Sequence, residues 1–168
     1  MKTSLVLTIL GPDRTGLIDD VAEVVTKHEG SWMESRMARL AGQFAGILRV
    51  ECLTSQRDAL ERDLRTLNER GLTINIASDV PSSECEGDVS IIDITGHDEP
   101  GIVKRVASAL ASLGVNVEEL ETSLESAPMA GHLLFCTRGK VRLPNDLSPA
   151  GLIDALEKLG ADLTVDVQ

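Results

Sequence analysis

Aromatic side chains are nearly missing from this chain: one Trp, two Phe and no Tyr make up 2% of its 168 residues. A protein so poor in ring faces has little with which to stack on bases or sugars. It also lacks any cluster of Lys and Arg, and its formal charge of −11 has the wrong sign for neutralising phosphates. Nucleic acid is therefore not an expected direct partner. The three cysteines, Cys52, Cys85 and Cys136, show no C-x-x-C spacing, and their odd number leaves no complete disulfide framework. Cys52 and Cys136 lie in apolar, strand-like runs and read as small core residues, whereas Cys85, in a polar stretch, reads as the reactive thiol. His28, His97 and His132 are scattered without metal-ligand spacing, so neither a metal nor a cofactor is expected. No apolar run reaches membrane-spanning length, and Met1-Lys2-Thr3 leads into a short strand with no signal-peptide core. The expectation is a soluble, cytoplasmic protein without membrane contact.

What is present is a repeat. Gly11-Pro12-Asp13-Arg14-Thr15-Gly16 returns, altered, as Gly96-His97-Asp98-Glu99-Pro100-Gly101, and Leu17-Ile18 and Val21-Ala22 recur as Ile102-Val103 and Val106-Ala107. An interval of 85 residues means two copies of one small domain, since a solenoid repeats a shorter unit several times. The expected division is residues 1–79 and 89–168, joined by a linker over 80–88 that contains Pro81-Ser82-Ser83-Glu84 and Gly87. Charge divides unevenly: residues 1–80 carry −2 and residues 81–168 carry −9, so the second half suits a basic protein surface.

Within the first copy, Ser4 to Leu10 reads as a strand. Leu17, Ile18, Val21, Val24 and Val25 then form a helix stripe capped by Thr15 and closed by Gly30. Ser31 to Leu40 alternates, with Trp32, Glu34, Arg36 and Ala38 on one face and Met33, Ser35, Met37 and Arg39 on the other. A turn at Ala41-Gly42 joins it to a strand over 44–53. Ser55 then caps a helix with Leu60, Leu64 and Leu67 as its stripe, Gly71 ends it, and Leu72 to Ala77 closes the sheet. The second copy repeats the order, with a turn over 128–131, a strand over 132–137, a long connection over 138–147, a Ser148-Pro149 helix start and a final strand over 163–167. This strand–helix–strand–strand–helix–strand order builds an antiparallel sheet with both helices on one face.

Glycines on both sides of each loop allow a tight turn that brings backbone N–H groups to a helix N-terminus, where the dipole favours an anion. The alternative is a strand-to-helix turn with no ligand. The segments over 7–18 and 92–103, together with Gly114-Val115-Asn116-Val117, resemble the ACT domain, a small regulatory βαββαβ module that binds amino acids or other small molecules, usually where two sheets meet. The likeness covers nearly the whole chain and leaves no room for an attached catalytic domain. A tandem pair alone, with Glu34-Ser35-Arg36-Met37 after the first helix, is most similar to the glycine cleavage system transcriptional repressor family.

The resemblance implies an α+β fold of two ferredoxin-like ACT domains and places ligand contacts in the loops. In the first these are Gly11, Asp13, Arg14, Thr15 and Gly16; in the second they are Gly96, His97, Asp98, Glu99 and Gly101. Asn116, at the start of the second copy's second strand, adds an amide that both donates and accepts. A one-residue realignment at Gly30 puts Trp32 opposite Asn116, either as a packing group or as part of an altered site. His97 either donates to a carboxylate or is an exposed loop residue, and Asp13 and Asp98 are expected to bond their own loop N–H groups.

The resemblance implies a non-enzymatic regulator that senses a small metabolite, an amino acid such as glycine, and acts on a protein partner that regulates transcription. No helix-turn-helix candidate or Ser-His or Cys-His arrangement suggests otherwise. The alternative is a stand-alone amino-acid-binding or dimerisation module that regulates a metabolic enzyme. Sheet pairing within the chain or in a homodimer is expected.

Overall fold

The computed structural model describes residues 1–80, 87–126 and 133–168. The chain divides into two units, Met1–Pro81 and Ser82–Gln168. The first contains β1 (Lys2–Pro12), α1 (Leu17–Lys27), β2 (Ser31–Leu40), β3 (Gln43–Leu53), α2 (Arg57–Thr66) and β4 (Thr73–Ser78). The second contains β5 (Asp88–His97), α3 (Ile102–Ser112), β6 (Asn116–Ser126), β7 (Leu133–Leu143), α4 (Pro149–Glu157) and β8 (Thr164–Val167). The sheets run β2-β3-β1-β4 and β6-β7-β5-β8, with antiparallel pairing in both. Both copies are thus the predicted βαββαβ unit.

Alternation along β1 puts Leu5, Leu7 and Ile9 on one face, where they share a core with Leu17, Val21 and Val25 of α1 and Leu60 and Leu64 of α2. Ile92, Ile94, Val106, Leu110, Leu152 and Leu156 do the same in the second unit. The helix stripes are narrower than the sequence suggests, because Ile18 is half exposed. Cys52 is buried and Cys136 partly so. Cys85, the 128–131 turn, His132 and most of the 80–88 linker lie outside the described residues. Among the described residues, no helix is long and apolar enough to cross a membrane, and no group of three or more His, Cys, Asp or Glu could hold a metal ion.

Several local expectations are corrected. Ser55 does not cap α2; residues 54–56 form a 3-10 turn ahead of it and no side-chain cap is made. Ser148 does cap α4, accepting from the Gly151 N–H at 3.1 Å with Pro149 behind it. The long connection over 138–147 is instead mostly strand: β7 runs to Leu143, so the two copies differ in length at the hairpin. Two residues separate β2 from β3, with Ala41 and Gly42 at φ 49° and 77°, whereas six separate β6 from β7.

Strict alternation along β2 also fails. A bulge at Met33 puts Trp32, Ser35 and Met37 on the helix side, with Trp32 and Met37 against the core. The strand β6 carries the matching bulge at Glu118, whose carboxylate reaches Arg142 at 2.7 Å and Lys140 at 3.2 Å. Hydrogen bonds from Arg142, then Lys140, hold the Glu118 carboxyl below its ordinary range.

The helix ends settle the alignment of the copies. Gly30 does not close α1; Glu29 takes the left-handed conformation at φ 53°, and its counterpart 85 residues on is Gly114 at φ 71°. The Gly30 N–H bonds Val25 O at 2.9 Å and the Val115 N–H bonds Leu110 O at 3.0 Å, the same closing bond in both copies. Because a β-carbon is disfavoured in that conformation, Glu29→Gly is expected to stabilise the first unit by about 1 kcal/mol in denaturant unfolding.

Asp63 of α2 ties α1 down through Lys27 Nζ at 2.7 Å and His28 Nε2 at 2.9 Å. The hydrogen bond from Lys27, then that from His28, lowers the Asp63 pKa. A carboxyl depressed by folding adds stability above its unfolded pKa of about 4 and loses it as pH falls through the folded value. Melting temperatures of wild type and Asp63→Asn should therefore differ at neutral pH and converge in acid.

Candidate ligand-binding corners

Each β1–α1-type connection ends on a left-handed glycine, Gly16 at φ 90° or Gly101 at φ 89°. These glycines, and not Thr15, occupy the helix N-caps, and neither makes a side-chain cap. The N–H groups of Leu17, Ile18 and Asp19, and of Val103 and Lys104, lie in first turns where the helix offers no acceptor. The Ile102 N–H is taken by Glu99 O at 3.2 Å.

The leading glycine of each motif has another job. Gly11 and Gly96 are buried within β1 and β5, paired with Phe44 and Phe135. A β-carbon on Gly11 would lie 2.7 Å from Gly71 O, and one on Gly96 would lie 2.6 Å from Leu163 Cδ2. They permit close packing beneath the sheet end and do not bare a backbone donor. Other expected donors are already engaged: the Asp13 N–H bonds Gly42 O at 2.9 Å, Asp98 N–H bonds Leu133 O at 3.1 Å, and His97 N–H bonds Asp162 Oδ2 at 3.1 Å. The Asp13 carboxylate meets Arg39 Nε at 2.6 Å, and neither it nor Asp98 makes the own-loop side-chain bond expected of it.

A charge-inverted clamp distinguishes the corners. In the first, Arg14 of the loop bonds Asp20 of α1 at 2.6 Å, with Arg70 on the other Asp20 oxygen at 3.2 Å. The Arg14 hydrogen bond is the main cause holding the Asp20 carboxyl low. In the second, the same two positions are Glu99 and Arg105, again bonded to each other. The loop therefore offers a cation at one helix N-terminus and an anion at the other. A depression of about 540 Å³ opens at the first corner, lined by Asp13, Arg14, Gly16, Ile18, Asp19 and Phe44 among others. Thr15 is exposed beside it.

Asn116 does not join its own corner. It is level with Arg142 and Val89, eight residues along β5 from His97, or roughly 26 Å at strand rise. The strand register also overturns the realignment at Gly30. Ser31 pairs with Glu51 beside Trp32 and Val50, as Asn116 pairs with Arg142 beside Val117 and Val141. Ser31 thus stands at Asn116's place, and Trp32 corresponds to Val117.

A sequence model of the ACT domain matches residues 3–77 and 89–168. The chain belongs to the ACT domain family. Among solved structures, an unknown protein from Galdieria sulphuraria is 28% identical with a TM-score of 0.82, and the match covers 100% of this chain and 98% of that one. A protein provisionally assigned as a glycine cleavage system transcriptional repressor is 17% identical with a TM-score of 0.73, over the same shares of the two chains. At that identity the second likeness is one of fold. No curated protein sequence matches.

In this tandem ACT protein, sequence reading found the loops but missed the groups that set their charge, Asp20, Arg39, Arg70, Arg105 and Asp162. Carrying the 85-residue offset past the loop would have found Asp20 and Arg105. The others come from β2, from the turn after α2 and from the residues before β8, and only folding brings them in.

Proposed function

We propose that this tandem ACT protein is a non-catalytic regulator that senses a small carboxylate-bearing metabolite, an amino acid by class, and relays it to a protein partner controlling transcription. The observation that carries this is the first corner, where Arg14 and the N-terminal turn of α1 line an open depression. The charge of −11 and the scarcity of aromatics favour a protein partner over DNA. Glu99 repels a carboxylate from the equivalent place, so the corners are unequal and the first is the anion site.

A melting-temperature screen against amino acids and other small carboxylates tests the reading, because a ligand that prefers the native state adds about 2.7 kcal/mol at one hundred times its dissociation constant. If no carboxylate stabilises the protein at millimolar concentration, the sensing assignment fails. Affinity capture from native extract tests the partner: a transcription regulator supports the proposal, and a metabolic enzyme replaces it with the enzyme-regulating alternative.

A further inference from the structure

The two units treat one inward-facing area of the sheet differently. In the first, the half-buried Trp32 lies against the core, with its indole Nε1–H donating to Ser35 Oγ at 3.4 Å. Met37 lies over Gly46, where a β-carbon would come within 2.6 Å of its Cγ. By strand register Val117 replaces Trp32, Leu120 replaces Ser35, Thr122 replaces Met37 and Thr137 replaces Gly46. The helix side hardly changes, since Ile18, Val21, Ala22 and Val25 become Val103, Val106, Ala107 and Leu110.

Losing the indole and the thioether leaves a recess of about 40 Å³ between α3 and the edge strand β6. That volume is room for about three waters, at roughly 10–15 Å³ each. Its walls are almost entirely apolar, and Val103, Val117 and Leu120 at its rim are 46%, 39% and 49% exposed. Two threonines are among its lining residues: Thr122 of β6 is exposed, whereas Thr137 is 5% exposed and its Oγ1 is buried without a hydrogen-bond partner. A buried, unpaired hydroxyl on an apolar cavity is costly unless something completes it.

We propose that this recess is a small-molecule site for a compact apolar ring or branched group that fills the space Trp32 takes in the first unit and bears one N–H or O–H that bonds Thr137 Oγ1. The ring's inner edge enters the recess and its outer edge stays at the β6 surface, as the indole of Trp32 does. Glycine, with no apolar part, is not the ligand of this site. The inference rests on the recess and not on the corner reading.

The probe is indole, titrated into the full-length protein and followed by amide chemical shifts. Saturable shifts are expected at Val117, Leu120 and Thr122 but not at Trp32 or Met37. Thr137→Val should weaken indole binding about tenfold while raising the melting temperature of the free protein, since it deletes an unpaired hydroxyl without changing shape. Val117→Trp should abolish binding by supplying the ring. Absence of saturation would mean the recess holds water only and overturns the proposal, as would Thr137→Val binding indole like wild type. Because indole has no carboxylate, either failure leaves the first-corner test untouched.

Discussion

Arg14→Glu is expected to weaken a carboxylate effector at the first corner by about 10- to 100-fold, the value of one charge-assisted hydrogen bond turned into a repulsion. The fold should hardly notice, because the Arg14–Asp20 pair is exposed and Arg70 still reaches Asp20. The second corner supplies the reciprocal experiment. Glu99→Arg alone would set two cations together, so the informative variant exchanges both, Glu99→Arg with Arg105→Asp, reproducing the first corner's polarity. Calorimetric titration of wild type should show one carboxylate per chain, and the exchanged variant should show two. If Arg14→Glu binds as wild type does, Arg14 leaves the site and the asymmetry argument goes with it.

That asymmetry shows which parts of the molecule the sequence makes legible. The repeat, the element order and the helix stripes were readable because each is a local pattern: a glycine-flanked loop, a three-and-four spacing, a Ser-Pro helix start. Leu60, Leu64, Leu152 and Leu156 are fully buried where the spacing placed them. Apart from the helix caps assigned to Thr15 and Ser55, the misreadings concern register or tertiary partners. A bulge slips alternation by one residue, so Trp32 and Met37 look as though they point opposite ways when both face the helices. Glu29 in the left-handed conformation hid the true alignment, because the eye follows Gly30 to Gly114 when the backbone equates Gly114 with Glu29. The glycines of the loop motif looked alike, yet Gly16 and Gly101 are required by positive φ whereas Gly11 and Gly96 are required by neighbours from β4 and β8 or the residues just before them. No spacing within the loop separates those causes.

Leu64→Ala should be among the most damaging single changes to the first unit. Leu64 is 0% exposed in a core shared by β1, β3, α1 and α2, and truncating such a leucine costs about 2–5 kcal/mol, depending on how far the cavity closes. The protein carries its own reporter for this: Trp32 is its one tryptophan, it has no tyrosine, and the indole packs on that same core. Fluorescence therefore follows the first unit, whereas far-ultraviolet dichroism follows both. The two cores share no residue, so Leu64→Ala should move the fluorescence midpoint to lower denaturant, and Leu156→Ala, its counterpart in α4, should move only the part of the dichroism that fluorescence does not see. Each unit would then be a separate cooperative fold, and a ligand confined to the first corner would protect only the transition that Trp32 reports. Equal displacement of the fluorescence curve by Leu156→Ala would mean that the units unfold as one, and a ligand bound at either would then stabilise both.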